Sequence, residues 1–334
     1  GGKVQITSGE VTLLAVEQLG RIVTYAREIG LDPMVMTNGQ RLLQQPGYLR
    51  ELVQLYGLRK ISFHVDTTQL GRSGLVRGQT ERDQHPVRDR FADLLHRVRQ
   101  ETGKELHAAQ TVTVTAENLE GVADVMQWAL KNVACFRIIS FLPVAAVGRT
   151  TDRGVPDLSM DRVWQQVCAG AGKQLNRDAM HFGHRECNIT VPLLVVDQGG
   201  EPEIVEAVRR DRNWDLRIFR QVLGILSACG DADGGIVRNL WALSKVGWRR
   251  PLLLGELVLY ALCRAWGLRH LLGRQLRRPL RRPRVSPLLV VVHRFMDAAE
   301  METPLGKQRL QSCVFRVPVD GEMVSMCQVN GTSM

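Results

Sequence analysis

Seven cysteines in this 334-residue chain, Cys135, Cys168, Cys187, Cys229, Cys263, Cys313 and Cys327, carry the widest range of chemistry. They are scattered, and the chain opens Gly-Gly-Lys with no Met, no basic n-region and no apolar h-region. The expectation is a piece of a longer protein without a signal peptide, in a reducing cytoplasm, with free thiols in place of a disulfide scaffold and some of them metal ligands. Cys135, Cys168 and Cys263 sit inside apolar strand or helix patterns and read as small buried hydrophobes. Cys313 and Cys327 flank Asp320-Gly321 almost symmetrically, which suggests a hairpin. A three-residue loop, Val319-Asp320-Gly321 with Gly321 left-handed, pairs Pro318 with Glu322 and sets Cys313 across from Cys327 on one face. A two-residue Asp-Gly turn slips the register by one and sends the thiols to opposite faces. The first register allows a shared ligand site or a cross-strand disulfide; the second weakens both. His181 and His184, near Cys187, are further ligand or donor candidates.

Charge is the second chemical feature, and it is local. The formal balance is +10. From Lys245 to Arg294 there are twelve Lys/Arg and one acid, Glu256, so this stretch alone carries +11 and the remainder is near neutral. Such a patch faces anionic lipid, nucleic acid or an acidic partner. Nucleic acid is disfavoured, because aromatic residues make up only 5% of the chain and none interleave with the basic run as stacking platforms. Pro251 to Leu262 is apolar but short and holds Glu256, so it does not span a bilayer. With Trp266, Leu271, Leu272 and the arginines Arg269, Arg274, Arg277, Arg278, Arg281, Arg282 and Arg284 it makes an amphipathic, cationic segment suited to an anionic membrane surface. The alternative is a core helix followed by a solvated arginine-rich loop.

The elements that position these groups follow from periodicity. Composition is ordinary for a globular protein, 44% hydrophobic and 23% charged. In the first 150 residues short β-branched runs alternate with amphipathic stretches, the pattern of βαβ units and a parallel sheet. Strands are expected at Val4–Thr7, Pro33–Thr37, Lys60–Val65, Leu106–Val114 and Phe136–Leu142. Helices are expected at Leu14–Ile29, Gln45–Tyr56, Val87–Thr102 and Ala116–Lys131, the last opened by Glu117 and Asn118. The polar, Gly- and Arg-rich loop Thr67–Pro86 follows a strand end, where α/β proteins keep their sites, and reads as a lid or binding loop. The expected division is 1–153 and 154–334. The second region reads as helices at Met160–Leu175, Leu216–Ser227 and Pro251–Leu272, a strand at Val285–Val292 and a terminal hairpin.

Strand-end residues in order along the chain carry a resemblance. Ser8-Gly9-Glu10 alone is a βα turn with an acid at a helix start. It is followed by Met34-Val35-Met36-Thr37-Asn38-Gly39, Ile61-Ser62-Phe63-His64-Val65-Asp66, Thr111-Val112-Thr113-Val114-Thr115-Ala116-Glu117-Asn118, and Phe141-Leu142-Pro143 with Gly148-Arg149. This series resembles strands two to six of the radical S-adenosylmethionine (SAM) superfamily, with Ser8 in place of a Gly and His64 in place of a Ser. The family's Cys-x3-Cys-x2-Cys loop follows strand one and occurs nowhere here, so the resemblance implies cluster ligands upstream of Gly1 and a fragment inactive by itself. The tail, His293-Arg294-Phe295-Met296-Asp297-Ala298, Cys313, Asp320-Gly321 and Cys327-Gln328-Val329-Asn330, is similar to enzymes related to archaeal tetraether lipid synthase. His181-Phe182-Gly183-His184-Arg185-Glu186-Cys187-Asn188 resembles an upstream stretch of the same group.

The resemblance implies an α/β fold, a partial (β/α)6 TIM-like barrel lacking its first strand, with an α+β C-terminal region. It implies a 4Fe-4S cluster that chelates SAM and, on reduction by a ferredoxin or flavodoxin, yields a 5'-deoxyadenosyl radical that abstracts hydrogen from a lipid or other apolar substrate. A carbon-carbon bond is one outcome. Ser8, Gly9 and Glu10 would hold the SAM amino group, and Asn38, His64 and Asp66 would lie near its ribose and carboxylate. Gln110 or Thr111, and Arg149, are further candidates. Cys187, Cys313 and Cys327 are expected to ligate an auxiliary 4Fe-4S cluster, with Cys229 or an upstream residue as fourth ligand. Alternatives are a radical SAM peptide maturase and a non-catalytic basic module on a degenerate barrel. The expected location is the cytoplasm, peripheral on the inner membrane face.

Overall fold

The structure is a computed structural model that describes residues 2–7, 9–145, 158–197, 200–209, 213–228, 251–267 and 284–332. Ser8, Arg149 and Cys229 lie outside the described residues. Eight strands form one sheet: β1 (Lys3–Ile6), β2 (Asp32–Thr37), β3 (Lys60–His64), β4 (His107–Val114), β5 (Phe136–Pro143), β6 (Asn188–Asp197), β7 (Glu203–Glu206) and β8 (Arg284–His293). Their order is β1-β2-β3-β4-β5-β8-β6-β7. β1 to β5 and β8 run parallel, and β6 is antiparallel to both β8 and β7. The fold is therefore α/β with a mostly parallel sheet, and the sheet continues across residue 153.

Between the parallel strands lie α1 (Val16–Glu28), α2 (Gln40–Gln44), α3 (Pro46–Gln54), α4 (His85–Thr102) and α5 (Val122–Lys131). Each crossover from β1 to β5 steps one strand in the same direction, so right-handed connections put these helices on one face. Burial agrees. Val35, Ile61, Phe63, Val112, Ile139, Phe141, Val290 and Val292 are fully buried in one core with Leu19, Leu49, Phe91 and Val125 from the helices. The Phe63 and Phe91 rings stack at 4.2 Å. Gly39, which opens α2, has φ 74°, and a Cβ there would sit 2.5 Å from the Phe91 ring, so only glycine fits the end of Thr-Asn-Gly.

The five strands expected in the first 150 residues form within a residue of their expected limits. The helix expected to open at Glu117 and Asn118 begins at Val122 instead, after a 3₁₀ turn at Leu119–Gly121. Asn118 is occupied elsewhere, accepting from Thr115 N and donating to Glu81. α6 (Met160–Ala171) stops short of Leu175, because Gly172 takes a left-handed φ of 68° and closes it. Two strands of the second region, β6 and β7, were not expected. β6 is apolar on both faces and lies between two neighbours. Next come α7 (Asn213–Ala228) and α8 (Pro251–Gly267); the rest of the helix expected to Leu272 lies outside the described residues.

After β8 the chain makes α9 (Ala298–Met301), α10 (Pro304–Gln311), a hairpin of β9 (Arg316–Val319) and β10 (Glu322–Ser325), and α11 (Met326–Thr332). Met296, Met301 and Cys327 form a second, small core with Phe295 and Leu310. In the hairpin Val319 pairs with Glu322, and Asp320 and Gly321 both have positive φ, 49° and 86°. This is the two-residue register, with the backbone signs of a type I' turn.

Candidate functional site

The polar residues of the ordered motifs meet at the C-terminal edge of the parallel strands. Glu10 is their hub. Its Oε1 accepts from Thr12 N at 3.1 Å, Thr12 Oγ1 at 2.6 Å and Thr37 Oγ1 at 2.5 Å, and its Oε2 accepts from Asn38 N at 2.7 Å. Partial burial pushes the Glu10 pKa up, but the hydrogen bonds from Thr12, Thr37 and Asn38 prevail and hold it below the usual carboxylate range. A fixed negative charge thus ties the ends of β1 and β2 together. Gly9 precedes it with φ 62° and open space where a Cβ would lie, so it supplies backbone freedom and not close packing.

On β3 and just beyond it, His64 Nε2 lies 2.7 Å from Asp66 Oδ2 and 3.0 Å from Thr113 Oγ1. Asp66 is fully buried and accepts from Thr68 N and Oγ1 at 2.9 and 2.6 Å and from Thr113 N at 2.8 Å. Burial alone would raise its pKa; the hydrogen bond and charge of His64, then Thr68 and Thr113, lower it overall. Asp66 is committed to holding β3, β4 and the following loop, and it orients His64. Arg72 crosses from that loop, with Nη2 donating to Asn38 O at 2.7 Å and His64 O at 2.6 Å. Farther along, the loop is anchored by the buried pair Glu81 and Arg88. Glu81 Oε1 also accepts from Thr67 N and Oγ1, each at 2.9 Å, and from Asn118 Nδ2 at 3.0 Å. The expected lid is therefore pinned at both ends, with Leu70 and Val76 exposed between. Arg72, Glu81 and Arg88 were not singled out in sequence; only the Arg-rich composition of the loop hinted at them.

Gln110 does not join this cluster. It is level with Phe63 and Ile139 on the helix side, fully buried, and its amide donates to the Val65 and Thr111 carbonyls. Strand alternation puts its neighbour Thr111 on the other face, where it meets Ser62 at 3.1 Å. That face also carries Met34, Met36, Ile138, Leu142, Leu289 and Val291, all half-buried while their alternating neighbours are fully buried. It is an apolar floor with a polar edge of His64, Thr113 and Ser140.

The three nominated cysteines do converge. Cys187, Cys313 and Cys327 line one small cavity of about 20 Å³ together with His184, His293 and Arg309. Hairpin register does not bring them there, since Cys313 precedes β9 and Cys327 lies in α11. Cys187 instead immediately precedes β6, and His293 ends β8 opposite Asn188. Arg309, 1% exposed, donates from Nε to Cys187 Sγ at 3.3 Å and pairs with Glu300 at 2.6 Å. Cys313 Sγ donates to Phe315 O at 3.2 Å. Burial pushes the Cys327 thiol up, against a hydrogen bond from the Met296 backbone. Among the described residues no group of three or more His, Cys, Asp or Glu is arranged to hold a metal ion. His181 contacts Asn188 O and His184 accepts from Glu186 N, so both also serve the local turn. Cys135 and Cys168 are in the main core, as their apolar settings implied, and Cys263 is half-buried on α8. The chain matches no protein-family model and no curated protein.

Proposed function

We propose that this chain is the body of a radical SAM enzyme, a partial barrel of the (β/α)6 type that binds SAM at the C-terminal ends of β1 to β4 and works on an apolar substrate. The observation that carries this reading is the hydrogen-bonded series Glu10, Thr37-Asn38, His64-Asp66 and Thr113, met in chain order on neighbouring parallel strands. Sequential strands with helices on one face curl toward a barrel, and sites sit at the C-terminal strand ends.

The donor set suits SAM. Glu10 keeps its charge and, among the described residues, its Oε2 accepts one hydrogen bond, from Asn38 N, which leaves it capacity to receive an ammonium. Arg72 fixes the Asn38 and His64 backbone, so the pocket edge is set before ligand arrives. His64, partly exposed and oriented by Asp66, presents a ring to a ribose or carboxylate. The apolar floor excludes water from a reactive carbon centre. When bound, SAM and a reduced 4Fe-4S cluster supply the 5'-deoxyadenosyl radical and hydrogen abstraction, which is the cofactor's own chemistry. Cys187, Cys313 and Cys327 are the proposed ligands of an auxiliary cluster. Their side chains share one cavity but do not stand in a ligating arrangement, so no step is routed through them.

The test is expression with the sequence encoded upstream of Gly1, anaerobic reconstitution with iron and sulfide, and chromatography for 5'-deoxyadenosine after adding SAM and dithionite. We expect 5'-deoxyadenosine, cut at least about tenfold by Glu10→Gln, the loss of one charge-assisted contact. No product, or an upstream segment without three clustered cysteines, defeats the proposal. For the auxiliary site, iron bound per chain should fall in Cys313→Ala and Cys327→Ala; unchanged iron content removes that assignment.

A further inference from the structure

α8 is divided lengthwise. At 3.6 residues per turn, Leu252, Gly255, Val258, Leu259, Ala261, Leu262 and Trp266 occupy one half of its circumference, and all are exposed. The large ones are strongly so: Leu252 is 86% exposed, Leu262 61% and Trp266 69%. Glu256, Leu257, Tyr260 and Cys263 occupy the other half and are half-buried. That half is anchored. Glu256 pairs with Arg217 of α7, the Tyr260 hydroxyl donates to Ala207 O at 2.6 Å, and the Tyr260 ring meets Trp214 at 6.1 Å. The helix is thus fixed through Glu256 and Tyr260 on its mixed side while an all-apolar stripe faces outward.

From this we infer that α8 docks the protein onto an anionic lipid bilayer, lying in the interface with Leu252, Leu259 and Leu262 inserted among the acyl chains. Charge selects lipid as the occupant. Arg249 and Arg250 immediately precede the helix and Arg269, Arg274, Arg277, Arg278, Arg281 and Arg282 follow it, while the single acid of the stretch, Glu256, is already paired on the anchored side. Trp266 lies in the last turn of the helix and Trp248 precedes it in sequence, and indoles settle at headgroup level. A short apolar stripe with cationic flanks and terminal indoles lies on a membrane and does not cross it. No helix among the described residues is long and apolar enough to span one. This inference is independent of the SAM reading and survives its failure.

The test uses the intact chain and co-sedimentation with two vesicle types, pure phosphatidylcholine and equimolar phosphatidylcholine with phosphatidylglycerol. We expect sedimentation with the anionic vesicles only. Leu259→Gln with Leu262→Gln should weaken it at least about tenfold by removing inserted apolar area. Neutralising Arg277, Arg278, Arg281 and Arg282 to Gln should weaken it by at least about tenfold, and added salt should do the same. Leu259 and Leu262 are exposed, and circular dichroism verifies the fold of each variant. Equal binding to neutral vesicles overturns the inference, as does indifference to the leucine pair. So does a self-associated chain in sedimentation velocity that Leu259→Gln with Leu262→Gln separates into monomers, because the stripe would then be covered by a second copy.

Discussion

Glu81→Gln and Arg88→Met should not be equivalent, although each breaks the same ion pair. Both side chains are fully buried. In Glu81→Gln the guanidinium of Arg88 keeps its charge, because arginine cannot deprotonate, and retains neutral partners, the carbonyls of Glu81 and Val65 at 2.6 and 2.9 Å and His85 Nδ1 at 3.0 Å, with no carboxylate against it. An uncompensated buried charge costs about 3 to 5 kcal/mol. In Arg88→Met the carboxylate of Glu81 keeps three donors, Thr67 N, Thr67 Oγ1 and Asn118 Nδ2, and it can take a proton. That loss should be smaller, about 1 to 3 kcal/mol. The double variant should recover part of the Glu81→Gln loss, since no lone charge remains. Urea unfolding followed by circular dichroism measures all three, and amide exchange at Gln69 to Thr80 should accelerate most in Glu81→Gln, where the loop anchor fails. Equal losses in the two single variants, or a Glu81→Gln loss under about 1 kcal/mol, would refute the claim that this pair pins the loop.

Acid should act in two windows. Asp66 and Glu10 both have folded pKa values below their free values, so their contribution is complete above about pH 4 and is lost as pH falls through the lower folded values; Asp66→Asn should flatten unfolding curves there. His107 behaves in the opposite protonation sense: burial first, then the charges of Arg99 and Arg137, lower it to about 4, so it is neutral in the fold. Between pH 6.5 and about 4 the unfolded chain takes up a proton that the fold does not, and His107→Gln should remove roughly 3 kcal/mol of that pH dependence, read from stability at stepped pH. Gly39→Ala combines a left-handed φ of 74° with a 2.5 Å approach to Phe91 and should cost roughly 3 kcal/mol in denaturant unfolding.

The parallel half of the fold was legible because each strand is a short β-branched run and each helix shows apolar residues at three and four. Chain order of Glu10, Asn38 and His64-Asp66 was enough to bring them to one edge, since parallel strands all end on the same side. Strand parity was harder. Gln110 and Thr111 were equally eligible by position, and only the pairing of His64 with Thr111 shows which faces away from the helices. β6 has no strand signature of its own, because the largely apolar, unalternating run Ile189 to Val196 fits a buried strand or a helix segment equally well. The cysteines illustrate a different limit. Hairpin register was the wrong variable for Cys313 and Cys327, which converge with Cys187 through the packing of α10 and α11 near the ends of β6 and β8, a tertiary relation with no local signal.

The most direct measurement is isothermal titration of SAM into the cluster-loaded protein expressed with its upstream sequence, beside its Glu10→Gln variant. Binding at the strand ends predicts a saturable single site for the native sequence, competed by adenosine and weakened at least about tenfold by Glu10→Gln, which removes a carboxylate held charged at that edge. Absence of saturable binding, or an affinity indifferent to Glu10→Gln, contradicts a SAM site there.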